Sequence, residues 1–89
     1  MDQDTALAAL AALAHPTRLG TFRLLVRHEP DGLATGALVD ASGLPQSTFS
    51  THLAVLVKAG LVVPEKRGRQ MIQRADMAVL RGQIGRAHV

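Results

Sequence analysis

The chain has 89 residues, 47% of them hydrophobic yet only two aromatic, Phe22 and Phe49, with a formal net charge of +3 and no cysteine. That length fits a single domain, residues 1–89, with a core of Leu, Val, Ile and Ala that favours helices. A chain so short buries only about 60 to 65% of its unfolded surface, which makes association with a second copy the first expectation. The lack of cysteine excludes disulfides, zinc–thiolate sites, thiol redox sensing and cysteine nucleophiles. No apolar run approaches about 18 residues and no basic-then-apolar leader opens the chain, so a soluble cytoplasmic protein without membrane contact is expected.

The first segment, DQDTALAALAALAHP, predicts a helix with Asp4 or Thr5 as N-cap, a helix-forming Ala/Leu body and Pro16 as its stop. Leu7, Leu10 and Leu13 share one stripe, suited to packing on another helix, including one from a second subunit. Pro16 then fits the first turn of a second helix, PTRLGTFRLLVRH, whose inward face is expected at Leu19, Phe22, Leu25 and Val26. A turn at 29–32 leads into a short helix in LATGALVDASG, with Thr35 as a possible cap and Gly43 as its end.

The next stretch, LPQSTFSTHLAVLVKAGLV, begins with hydroxyls and turns apolar. On a helical wheel with Phe49 at 0° and about 100° per residue, Leu53 falls near +40°, Leu56 near −20° and Ala59 near −80°, facing the core. Ser47, Thr51, Ala54 and Lys58 gather at roughly 140° to 200°, with Thr48 and Ser50 on the flanks. A short helix, a turn at 43–45 and a longer helix with a small polar outer face make a helix-turn-helix, whose second helix offers its N-terminal side chains to the major groove.

After Gly60, two β-prone runs at 61–66 and 69–74 flank Arg67-Gly68 and predict a hairpin, with Pro64 confining its strand to an edge. Lys66, Arg67 and Arg69 gather at its tip. A last helix is expected over 76–84, capped by Asp76, with Met77, Leu80 and Ile84 on one stripe. The fold class is therefore mainly α with a small β-hairpin, a winged helix-turn-helix in the order α-α-α-α-β-β-α.

Charge divides along the chain in the same sense. Residues 1–43 hold three arginines against five carboxylates, whereas residues 44–89 hold seven basic side chains against Glu65 and Asp76. The basic half contains the polar helix and the wing, the electrostatic footprint of a nucleic-acid binder. The side chains expected to touch DNA are Gln46, Ser47, Thr48, Ser50, Thr51 and His52 on the helix, and Lys66, Arg67 and Arg69 on the wing. Short hydroxyls can serve base edges or phosphate, and the positive helix end adds to phosphate binding. No arginine on the helix offers a bidentate guanine contact, so discrimination leans on DNA shape.

The runs LAALAHPTRLGTFRLL at 10–25, SGLPQSTFSTHLAVLVKAGLV at 42–62 and EKRGRQMIQ at 65–73 resemble the ArsR/SmtB family of bacterial winged-helix repressors. The resemblance implies a homodimer joined by the first and last helices, bound to an imperfect palindromic operator near its own promoter and released by an inducer. Family members that sense arsenic, cadmium or lead use cysteines around the third helix, where this sequence reads LATGALVD. Of a second family site, Asp76 matches the first ligand, but position 78 is Ala and His88 falls out of step. No cofactor is expected. His15, His28 and His88 with Asp76 could still form a zinc or nickel site across a dimer, and the apolar flank at Ala54 and Val57 leaves a protein–protein interaction module as a second alternative. No Gly-rich phosphate loop, paired carboxylates or Ser-His-Asp spacing points to an enzyme.

Overall fold

The computed structural model describes residues 3–81. Helix α1 (Gln3–Leu13) buries Ala9 and Ala12, while Leu7 and Leu10 stay 54% and 59% exposed. The leucine stripe predicted to pack is thus only partly used, since Leu13 alone of the three lies against the core. Alanines let α1 approach its neighbours closely, and the larger side chains are left outward as an apolar strip.

Helix α2 (Pro16–Arg27) starts as the proline predicts: His15 is its N-cap, extended at φ −149°, and its Nδ1 accepts from the Thr17 amide at 3.1 Å. Its buried face is Thr21, Phe22 and Leu25. The expected face at Leu19, Phe22, Leu25 and Val26 is therefore rotated, with Leu19 and Val26 left 40% and 38% exposed. Thr21 is tolerated inside because its hydroxyl donates to the Thr17 carbonyl one turn back, leaving no unpaired donor.

A strand not foreseen in the sequence follows. Strand β1 (Leu33–Ala34) is two residues long, too short for any periodic pattern to show. It pairs antiparallel with β3 (Gln70–Ala75), which also pairs with β2 (Val62–Arg67), giving the order β1-β3-β2. Pro64 accordingly sits on an edge strand, as expected. The hairpin is set one residue later than predicted. Arg67 faces Gln70 as the last pair, and the turn is Gly68-Arg69 rather than Arg67-Gly68. Gly68 has φ +61°, the left-handed geometry demanded at the first central position of a tight hairpin turn, which decides the register.

Helix α3 (Thr35–Ser42) ends at Gly43, φ +70°, whose amide donates to the Asp40 carbonyl. Its N-cap is Ala34, without a side-chain hydrogen bond, so Thr35 does not cap it. Thr35 instead turns toward β3: its hydroxyl donates to the Met71 carbonyl at 3.2 Å and accepts from Gln73 Nε2 at 3.1 Å. Helix α4 (Gln46–Lys58) buries Phe49, Leu53 and Leu56 against a core that includes Leu25, Leu38, Leu61 and Val62, while Ala59, also turned inward by the wheel, is its C-cap and only partly buried against that core. Asp76 caps the final helical turn, its Oδ1 accepting from the Ala78 amide at 2.8 Å. That turn is helical from 78 to 81; the remainder of the expected last helix, with Gly82, Ile84 and Gly85, lies outside the described residues.

Candidate nucleic-acid interface

Helices α3 and α4 are joined by three residues, and local hydrogen bonds hold the joint. Ser42 Oγ donates to the Val39 carbonyl at 2.7 Å and accepts from the Leu44 amide at 3.0 Å, so one hydroxyl closes helix α3 and fixes the chain entering the turn. Pro45 then stands as the N-cap of α4, without a side-chain cap, and its carbonyl accepts from the Phe49 amide. Ser47 is free of any capping duty. The first-turn amides of α4 keep no side-chain partner, which suits them to an external anion.

Anchored by Phe49 and Leu53, the helix turns Gln46, Ser47, Thr48, Ser50 and Thr51 outward, and all five are exposed. Ala54 and Lys58 continue the same face. Thr51 directs its hydroxyl proton to the Ser47 carbonyl at 3.2 Å, so in this rotamer it offers lone pairs outward. His52 is different. It is half-buried, its ring centroid lies 4.4 Å from that of His15, and its Nδ1 is 3.3 Å from Arg18 Nη1. Partial burial, reinforced by His15 and Arg18 beside it, holds the His52 ring below the ordinary histidine range. Arg18 was legible only as a side chain off the inward face of its helix; a partner 34 positions away leaves no local signal.

The three basic side chains of the wing do not behave alike. Lys66 and Arg69 are exposed, and among the described residues neither forms an ion pair. Arg67 is held: Nε donates to Glu65 at 2.9 Å and Nη1 to the Asp31 carbonyl at 3.0 Å. Arg74 bridges the base of the wing to the end of α2, reaching Glu29 at 3.1 Å and Glu65 at 3.3 Å. Hydrogen bonds from Arg67 and Arg74 keep the Glu65 carboxyl below its usual range, and those to Glu29 and Glu65 raise Arg74. Such exposed pairs add little stability singly, but together they restrict how the wing sits on the body.

The described residues do not fit a metal centre of the family's kind. No three His, Asp or Glu side chains among them converge. Nδ1 of His15 and Oδ1 of Asp76 are already engaged by backbone amides, His28 is the C-cap of α2, and His88 lies outside the described residues.

A helix-turn-helix domain model matches residues 13–65, which takes in α2 through α4 and the first four residues of β2. The chain belongs to the ArsR/SmtB family of winged helix-turn-helix transcriptional regulators. It is 35% identical over 71 residues to the HTH-type transcriptional repressor SmtB of Mycobacterium tuberculosis, covering 80% of this chain and 50% of that protein. Nodulation protein NolR of Rhizobium meliloti is 39% identical over 71 residues, again 80% of this chain and 55% of NolR. The chain therefore spans about half the length of these family members. Among solved structures, HlyU from Vibrio cholerae superposes with a TM-score of 0.76 at 28% identity, covering 99% of this chain and 95% of HlyU. The winged helix-turn-helix domain of Mb0332 from Mycobacterium bovis, described as homodimeric, gives 0.74 at 27% identity over 96% of this chain and 79% of that one. Among the described residues no helix is long and apolar enough to cross a membrane.

Proposed function

We propose that this ArsR/SmtB-family chain acts as one domain that binds double-stranded DNA as a homodimer and represses transcription from a palindromic operator in the cytoplasm, without catalysis. The observation that carries the reading is the outer face of α4, where five uncharged polar side chains from Gln46 to Thr51 stand exposed on a helix locked inward by Phe49, Leu53 and Leu56. In a major groove these side chains meet base edges and phosphates, while Lys66 and Arg69 supply unpaired positive charge from the wing. His52 joins them as a phosphate donor at the helix flank, and Arg67 contributes charge while tied to the protein surface.

The exposed Leu7 and Leu10 on α1 supply an apolar strip for a second copy, together with the last helix, in keeping with the homodimeric state described for Mb0332. A repressor role is supported by the likeness to SmtB, which is described as one. Gel shifts with the DNA upstream of the chain's own gene test the reading: a discrete complex that survives excess unrelated duplex is expected. A second reading, protein–protein contact, is favoured by one feature, an open hollow between α1 and α4 lined by Ala8, Ala11, Ala12, Val55 and Ala59 together with Arg18 and Lys58. Absence of any DNA complex at low salt, with a stable protein complex in its place, would turn the assignment to that reading.

A further inference from the structure

Arg18, in the first turn of α2, links the end of α1 to the middle of α4. Its Nε donates to the Ala12 carbonyl at 2.6 Å, in the last turn of α1 where carbonyls lose their intrahelical partners, and its Nη2 lies 3.5 Å from the Ala11 carbonyl, which also accepts from the Ala14 amide. Two contacts from one guanidinium to one helix end fix the plane of the fork. The remaining arm, Nη1, reaches His52 Nδ1 at 3.3 Å. A guanidinium can only donate, so Nδ1 of His52 must accept, and the neutral ring then carries its proton on Nε2. The His15 ring lies against the same ring, tilted by 35° with centroids 4.4 Å apart, and is itself fixed by the Thr17 amide at its own Nδ1. The imidazole is thus held in position by an arginine on one side and a tethered ring on the other.

We propose that Arg18 is a positioning residue for DNA binding: by donating to Nδ1 it holds His52 as an Nε2–H donor for a backbone phosphate beside α4. The inference rests on the DNA-binding reading of α4. It gives Arg18 a role without contact to DNA, since the guanidinium is already engaged by the two α1 carbonyls and the imidazole. An N–H donor on a half-buried ring is useful to phosphate only when its tautomer and rotamer are set beforehand, because otherwise binding must also pay to order it.

The full chain labelled with 15N-histidine, and a fluorescent duplex carrying the sequence upstream of its own gene, provide the test. In the absence of DNA the His52 ring should show the Nε2–H form with a hydrogen-bonded Nδ1, and Arg18→Met should release it to a mixture of tautomers. On the duplex, Arg18→Met should weaken binding by about three- to tenfold, as expected for one phosphate hydrogen bond. His52→Gln, whose amide N–H stands where Nε2–H stood, should bind close to wild type, whereas His52→Asn should lose as much as Arg18→Met. Because the two residues act as one unit, the double variant Arg18→Met/His52→Asn should lose no more than either alone. Folding of each variant is checked by circular dichroism, and the His52 pair leaves the Arg18 contacts to α1 intact should Arg18→Met fail to fold. An unchanged His52 spectrum in Arg18→Met, equal binding by wild type and variant, fully additive losses, or equal binding by His52→Gln and His52→Asn would each overturn the role of Arg18. A wild-type protein that binds no duplex would remove the DNA reading of α4, a result distinct from a wild type that binds and a variant that binds equally.

Discussion

His52 and Thr35 have observed partners that change what their local sequence suggests. Because the His52 ring is held below its ordinary value of 6.5, the unfolded chain takes up that proton more readily than the folded one. The stability tied to this group is therefore whole above 6.5 and declines as pH falls below it. Thermal melts should drop more between about pH 7 and pH 5 for the wild type than for His52→Gln. Glu65, held below its ordinary 4.5, acts only in a more acid window, so the two effects separate. Thr35 sits where a helix cap is expected, yet its hydroxyl joins the Met71 carbonyl to Gln73 Nε2, and Gln73 is only 4% exposed. Thr35→Val strands that buried amide and should cost about 1 to 3 kcal/mol in urea denaturation, whereas Thr35→Ser should remain near wild type. A hydroxyl after a turn reads as a cap in any sequence, and only the arrival of β3 from 36 positions away redirects it.

Elements were legible in proportion to their length and amphipathicity. Helix α4, whose apolar positions recur over 13 residues, was placed together with its buried face. On α1 and α2 the same pattern misjudged which face turns inward, because many small or apolar residues around the wheel leave the choice to tertiary packing. Strand β1 left no trace, and its role is to receive β3 at the base of the wing. Gly32, just before β1, has φ +74°, and a Cβ there would lie 2.5 Å from the Gln73 carbonyl oxygen and 2.7 Å from Arg74 Cγ. Gly32→Ala should thus lower stability by about 1 to 3 kcal/mol, measured by denaturant unfolding, by forcing β3 away from the body. The wing's basic residues looked equivalent in sequence, but Arg67 is bound to Glu65 and to Asp31 whereas Lys66 and Arg69 are not. Each phosphate contact contributes about 0.9 to the slope of log affinity against log salt. Replacing Lys66 and Arg69 by Ala should flatten that slope more than replacing Arg67, a comparison read directly from binding titrations at several salt concentrations.

For the whole molecule, a small body carries two outward surfaces: the polar face of α4 with its wing, and the apolar strip of Leu7 and Leu10. The exposed polar face of α4 was legible because its polar and apolar side chains alternate at helical spacing along one helix. The second was legible only as a stripe whose partner remained open, since the sequence alone does not say whether leucines pack inside their own domain or against another. Leu7→Glu with Leu10→Glu should shift sedimentation from dimer to monomer while leaving the helix content intact, and should weaken binding to a two-half-site operator far more than to a single half-site. The central claim, that α4 reads DNA, is tested most directly by fluorescence anisotropy on the duplex upstream of the chain's own gene. Wild type is measured against a variant with Ser47, Thr48 and Thr51 replaced by Ala, whose exposed positions leave the fold unchanged. Wild type should discriminate this duplex from a scrambled one at moderate salt, and the variant should keep the weak, salt-sensitive binding while losing the discrimination. Equal discrimination by both proteins, or no binding by wild type even at about 50 mM salt, would contradict the account.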